Sequence, residues 1–350
     1  FADGVLADNV FKPVNQYGII QVDTDNKTDS EYQQDVKHFY SPAFSEIYKH
    51  SRDDDDPYEN DRAFVYKKSP VPLEDWMAQM ISVYDKKGIT AIAFAFSTVF
   101  RDFILSRYHF FPHLFLTGEK GSGKSKFGDS IANLFTFKLE PFDLNSGTLV
   151  GFYRRLARIR NVPAFFEEYH DKIDDRMFQS LKGAYDGRGR EKGKATSDNR
   201  TTISKVNSSC ILAGQYLSSR DDNSLTSRSV IEHFIKRQDP FTNDQIIEYN
   251  KLKSMEEQGL SSLVLEIVKY RPKIEAQFHK TYATITKSLI KDLKGMAYEE
   301  RMLQNYSCML GVLQVLWPYF QFPFTWDDVY QQFKNAILDT SDLITESEGL

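Results

Sequence analysis

Cysteine is almost missing from this chain: Cys210 and Cys308 are the only two in 350 residues. That excludes a disulfide framework and a cysteine-built zinc site, and fits a reducing cytosol. An excess of positive charge is also missing, since 44 Lys and Arg face 49 Asp and Glu for a net charge of −5. Any nucleic-acid partner must therefore be met by a local basic patch rather than by the field of the whole molecule. No hydrophobic run reaches the roughly 20 residues of a membrane span. The nearest, residues 89–105, carries Arg101 and Asp102 and reads as a single helix buried nearly all round. No signal peptide is visible in this sequence, nor an internal repeat or low-complexity tract. The chain opens on Phe1 rather than Met, as a fragment of a longer protein would, and a preceding domain is compatible with it.

What is present is an ordinary globular composition, 41% hydrophobic and 27% charged, with length for about two to three domains. Gly118, Glu119, Lys120, Gly121, Ser122, Gly123, Lys124 and Ser125 fit G-x-x-x-x-G-K-[ST] at every fixed position. Glycines in such a loop let backbone N–H groups turn inward around phosphates. A helix starting there aims the positive end of its dipole at the same anion. The motif predicts bound ATP, with Lys124 at the β- and γ-phosphates, the Ser125 hydroxyl on Mg²⁺ and Lys126 opening the helix. Residues 113–117 read as the buried strand entering the loop. Residues 126–135 read as the helix leaving it, with Phe127, Ile131, Ala132 and Leu134 on one side.

Hydrolysis needs a second strand ending in acid, and residues 162–168 supply an apolar run closed by Glu167 and Glu168. By position Glu167 takes the metal and Glu168 polarises the attacking water. Asp is usual at the first place, so Glu167 is a departure, and two exposed glutamates at a strand end are the plainer alternative. Residues 209–214 form a third strand, and Gln215 after it is placed to feel the γ-phosphate or orient the water, with Asn207 second. Arg228 then stands where a neighbouring subunit's nucleotide is reached, and a guanidinium there stabilises the transferring phosphoryl group. Arg220 is the second choice, and a surface salt bridge the alternative. Between the acidic strand and the Gln215 strand, Arg188, Arg190, Lys192 and Lys194 alternate with Gly187, Gly189 and Gly193, and Arg200 and Lys205 follow. A flexible cationic loop of this kind suits phosphate backbones more than base edges, though a solvated loop with no partner has the same composition. Arg154, Arg155, Arg158 and Arg160 form a second cluster, open to subunit ion pairs.

Elsewhere residues 18–22 and 63–66 look like strands. The acidic run over 52–62 reads as a solvated loop. Residues 71–108 read as two helices, begun at Pro72 and separated by Lys87 and Gly88. Residues 110–236 alternate strand and helix, as a parallel sheet requires. After Pro240 the chain turns helical, with Asn243 and Asp244 as a cap, periodic segments over 260–270 and 302–317, and Pro272 and Pro318 as stops. These readings divide the chain into an N-terminal β-rich region (1–70), a helical linker or collar (71–108), an ATPase core (109–237) and a helical C-terminal domain (238–350).

The order of phosphate loop, acidic strand, basic glycine-rich insertion, polar strand end and arginine resembles the AAA+ family. Within it the chain is similar to superfamily 3 helicase cores and to the helicase half of primase–helicases from phages and mobile elements. The buried segment before the phosphate-loop strand, Ala91 to Phe94 and on to Phe111, Pro112 and His113, carries the same resemblance, which covers residues 71–236. It implies an α/β P-loop NTPase fold with a parallel sheet flanked by helices, a small N-terminal β-containing region and a helical C-terminal domain. It also implies a hexamer with ATP and Mg²⁺ between subunits, basic loops moving single-stranded or forked DNA, a primase or other replication protein as partner, and a bacterial host cytosol as the setting. The second reading is an AAA+ ATPase that remodels or loads a protein partner.

Overall fold

The computed structural model describes residues 1–8, 10–24, 35–46, 58, 60–193 and 201–348. Two antiparallel hairpins open it, β1 (Gly4–Ala7) with β2 (Val10–Pro13) and β3 (Ile19–Thr24) with β4 (Asp35–Tyr40). Helices α1 (Leu73–Tyr84), α2 (Lys86–Thr98) and α3 (Arg101–Tyr108) follow. The chain then alternates through β5 (His113–Gly118), α4 (Lys124–Ala132), β6 (Phe142–Asp143), α5 (Leu149–Arg158), β7 (Pro163–Tyr169) and α6 (Asp175–Tyr185). A hairpin of β8 (Arg190–Gly193) and β9 (Thr201–Ser204) precedes β10 (Ser209–Gly214) and β11 (Ser229–Phe234). The last stretch holds α7 (Asn243–Gln258), α8 (Ser262–Val268), α9 (Arg271–Asp292), α10 (Glu300–Leu316) and α11 (Trp326–Glu348).

Five strands form one parallel sheet in the order β11–β5–β10–β7–β6. The fold is therefore mixed α/β, with a small N-terminal strand region and a helical C-terminal part. The inner strands read as unbroken apolar runs because both faces are covered. Successive side chains go to opposite faces. Leu114, Leu116, Phe165, Ile211 and Ala213 join the core made with α1, α2, α4 and the C-terminal helices. Their neighbours Phe115, Phe166 and Leu212 join the core under α5 and α6 with Phe152, Leu156 and Phe178.

Several elements differ from the sequence reading. Residues 71–108 make three helices, not two. The first break is at Asp85, which takes a φ of 49°. Lys87 and Gly88 lie inside α2, and Gly88 is small because a Cβ there would stand 2.7 Å from Met80 O. The run over 89–105 is not one helix either: α2 and α3 meet at 74° across Val99 and Phe100. Among the described residues no single helix is long and apolar enough to cross a membrane. Residues 63–66 form no strand. Their backbone groups bond to Ala2 N and Asp3 Oδ1, while Phe64 stacks on Phe1 and Tyr66 on Phe11. Pro272 sits in the first turn of α9 and so starts a helix instead of stopping one. The cap of α7 is Thr242, in a reciprocal capping box with Gln245. Most of the acidic run lies outside the described residues; its Asp61 pairs with Arg158 at 2.8 Å.

Candidate nucleotide and nucleic-acid sites

The phosphate loop leaves the carboxyl end of β5 and feeds α4, with Gly118 paired to Phe234 at the end of β11. Gly118 has a φ of 144°, and a Cβ on it would fall 2.0 Å from Phe234 O. Gly121 and Gly123 take φ of 81° and 95° with nothing within 4 Å of an added Cβ. At these two positions conformation, not crowding, selects glycine, and the space beside them is open. Gly123 caps α4 with no side-chain hydrogen bond, which leaves the first N–H groups of the helix unclaimed by a capping side chain. Ser122 Oγ is buried without a partner among the described residues. Lys124 Nζ donates to Glu119 O at 3.1 Å, and Lys126 stands 3.8 Å from Asp129. An open cradle of donors at a helix start, with an orphan hydroxyl inside it, fits a polyphosphate.

The acidic pair lies two strands away, across β10. Its local geometry was not foreseen: β7 runs through both carboxylates to Tyr169. Leu212 pairs with Phe166 but Gly214 pairs with Tyr169, so β7 carries one extra residue, and Glu168 has a φ of 57°. Without that bulge, adjacent glutamates would point to opposite faces. Glu167 is half-buried and Glu168 exposed. Gln215 follows β10, between the phosphate loop and the acidic pair, and its carbonyl accepts from Thr117 Oγ1 at 3.2 Å. Its side chain is exposed there. Asn207, the reserve for that role, lies before β10 at the opposite edge and donates to Ala157 O at 2.6 Å. Hydroxyl and carboxylate oxygens at Ser125 and Glu167 are the hard donors Mg²⁺ takes.

Sequence reasoning passed over Asp129. Burial raises its pKa to about 6, Lys126 and Lys253 opposing and Glu167 and Glu256 adding to the rise. It belongs to a polar seam between α4, α1 and α7. There Tyr84 donates to Lys126 O, Lys253 to Ser130 Oγ and Glu256, and Asn133 to Glu256. The only sequence signal was an acid one turn beyond the motif lysine.

Arg228 precedes β11, whose six residues run alongside β5 toward the phosphate loop. At about 3.3 Å per residue that puts it roughly 20 Å from its own loop. Its Nη1 donates to Ser224 O at 2.7 Å and its Nε is buried with no partner among the described residues. Arg228 lines a cavity of about 530 Å³ together with Arg176, Lys182, Arg188, Lys205 and Asp186. Burial, then Arg301, lowers the Arg228 pKa. Arg188 therefore stands at the root of the β8–β9 hairpin, beside Arg228, rather than on its strands. Arg190 and Lys192 are in β8, and Lys194 and Arg200 lie outside the described residues. Buried Arg101 ties both roots together, donating to Ala184 O before the hairpin and to Val206 O and Asn207 O after it. Arg220 is engaged by Asp175 at 2.7 Å and stacks 4.0 Å over Phe178. Of the second cluster, Arg155 bonds Glu140 O and Arg158 bonds Asp61.

No family model matches the sequence, and no curated protein matches it. Among solved structures, an active helicase, SCCmec type IV Cch, covers 80% of this chain at 16% identity and a TM-score of 0.59. JCV helicase covers 79% at 12% identity with a TM-score of 0.29, over 61% of its own length. The NrS-1 C terminal region covers 81% at 10% identity with a TM-score of 0.32, over 74% of its own length. The chain spans about half of the Cch structure, 52%, and over that span it shares the fold of an active helicase.

Proposed function

We propose that this chain is an ATP-hydrolysing helicase or translocase core of the AAA+, superfamily 3 type, working as a hexamer on single-stranded or forked DNA in phage or mobile-element replication. One observation carries the reading: the phosphate loop and the acidic bulge share one sheet edge, while Arg228 and the hairpin share the other. A cation that far from its own loop serves a neighbour's nucleotide, so the site is completed by assembly.

In this reading Gly118, Gly121, Ser122, Gly123, Lys124 and Lys126 hold ATP. Ser125 and Glu167 hold Mg²⁺, which when bound neutralises charge on the phosphates. Glu168 takes the proton of the attacking water and Gln215 orients that water. Arg228 meets the neighbour's γ-phosphate. Arg190 and Lys192 of β8, with Lys194 next in the sequence, track the DNA backbone, which makes binding salt-dependent. The shared cavity supports direct coupling, because a change at Arg228 reaches the hairpin root at Arg188 without a long relay. A primase or other replication protein as partner belongs to the same proposal.

DNA-stimulated turnover tests it. The Lys192→Ala, Lys194→Ala double variant should keep basal ATP turnover and lose stimulation by single-stranded DNA. Stimulation equal to that of the unaltered protein would remove the hairpin from the DNA path, and turnover blind to DNA from the start would favour remodelling of a protein partner.

A further inference from the structure

Helix α10 carries a polar side chain that its apolar setting does not explain. Asn305 is 0% exposed on a helix that buries Met302, Leu303, Cys308, Met309 and Val312 with it. An amide in such a place is costly unless its polar atoms find partners. Asn305 finds them in two segments far from it in the chain. Its Nδ2 donates to Ser227 O at 3.1 Å, and its Oδ1 accepts from the Tyr185 hydroxyl at 3.0 Å. A backbone carbonyl can only accept, so the amide has one orientation here and both bonds depend on it.

Both partners border Arg228. Ser227 is the residue before it, in the 3₁₀ turn Thr226–Arg228. Three residues after it, Ile231 N donates to the Tyr306 hydroxyl at 3.4 Å, so α10 grips the backbone on either side. Tyr185 closes α6, and the Arg228 guanidinium lies 5.7 Å over its ring. Phe110 stacks on that ring at 5.5 Å. Arg301, one turn before Asn305 on α10, is near enough for its charge to act on Arg228 and Tyr185 alike. The bond from Arg228 Nη1 to Ser224 O spans only four residues. It ties the side chain to its own turn and does not fix where that turn sits. The contacts that do so come from α10.

We propose that Asn305 is a positioning residue for Arg228: it fixes both the backbone that carries the guanidinium and the ring over which it lies, and so aims it at the neighbouring subunit's nucleotide. The inference rests on the reading of Arg228 as the group that completes the neighbour's site. It deepens that reading by giving the helical C-terminal part a share in ATP turnover. Asn305 touches no nucleotide and acts through Arg228. A small misplacement of a group that stabilises the transferring phosphoryl costs up to about a hundredfold in rate, while ground-state binding elsewhere is left alone.

Steady-state ATP turnover by the full chain tests it. Asn305→Leu is close in volume and removes both hydrogen bonds. It should lower kcat by about ten- to a hundredfold with the KM for ATP within about twofold, because the phosphate loop is on the other sheet edge. Subunit mixing separates positioning from general damage. With Lys124→Ala subunits, Asn305→Leu should recover activity, since its own cradle is intact and the partner brings a well-aimed Arg228. With Arg228→Ala subunits it should recover none, since both lesions fall on one edge. Tyr185→Phe keeps the ring and removes only the hydroxyl bond. It should lower kcat by a smaller factor with the same mixing pattern, and it decides alone if Asn305→Leu fails to fold. The proposal is overturned by an unchanged kcat, by a KM that rises as kcat falls, by recovery with Arg228→Ala subunits, or by no recovery with Lys124→Ala subunits. Turnover that survives Arg228→Ala sinks the reading of Arg228 and this inference with it. Turnover lost in Arg228→Ala but intact in Asn305→Leu sinks this inference alone.

Discussion

At the carboxyl ends of the strands, the phosphate loop is a run of consecutive residues whose glycines and helix start make a polyphosphate cradle locally. At the amino ends, Arg188 follows α6, Lys205 follows β9 and Arg228 precedes β11, and they line a common cavity only because the sheet brings three connections together. The first edge is built from neighbours in the sequence, the second from neighbours in space. The first leaves open space beside Gly121 and Gly123 at the start of α4, whereas the second gathers cations roughly 20 Å from that loop. In the proposed assembly each edge is half of a site.

The largest expected effect lies at the first edge. Lys124→Ala should reduce ATP turnover to background in a steady-state phosphate-release assay, with secondary structure unchanged by circular dichroism. Turnover that persists would move hydrolysis away from this loop. Next comes Arg228→Ala, expected to lower turnover by about a thousandfold while leaving nucleotide binding within a few-fold. Mixing it with Lys124→Ala subunits sharpens the contrast between the edges. Random one-to-one mixing leaves about a quarter of interfaces with both groups intact, so the mixture should recover activity that neither variant has. No recovery at any ratio would mean the two edges do not meet across subunits.

The smallest effect concerns Asp129, beside the first edge. Its folded pKa is raised from 3.8 to about 6 by burial. A raised pKa contributes stability below the unfolded value, and that contribution is lost as pH rises through about 6. At pH 8 the ionised carboxylate is therefore a liability. Asp129→Asn should be more stable than the unaltered protein there by about 1–2 kcal/mol, after allowance for the partly exposed side chain. Near pH 4 the advantage should nearly vanish. Urea unfolding midpoints at the two pH values measure it, and an equal gain at both would show that charge is not the cause.

The legible parts of this fold were those governed by short-range physics. β10 spans the residues its composition predicts, Ser209–Gly214, because an apolar run buried on both faces has no alternative register that hides it better. The α2–α3 bend was not legible, since residues 89–105 are apolar on either side of it and Phe96 before it is as fully buried as Phe100 within it. Gly88 reads as a breaker in sequence but is a close-packing residue in space, where Met80 O leaves no room for a Cβ. Glu167 and Glu168 were legible as a pair, yet their bulge follows from pairing with β10, a partner some forty positions further along by the parallel crossover. Arg228 and Arg188 were each singled out, but for different tasks, and nothing in their spacing places them on one cavity.

The amino-acid order by itself determined the phosphate cradle, the strand that enters it and the helix that leaves it, because glycine dihedrals, apolar periodicity and helix dipoles act over a few residues. Only the tertiary structure decided which cations share the far edge, that α7 reaches α4 through Lys253 and Glu256, and that an extra residue re-aims Glu168. Those outcomes depend on strand order and on packing between segments distant in the chain, where the free energy belongs to the assembled sheet and not to any one stretch of it.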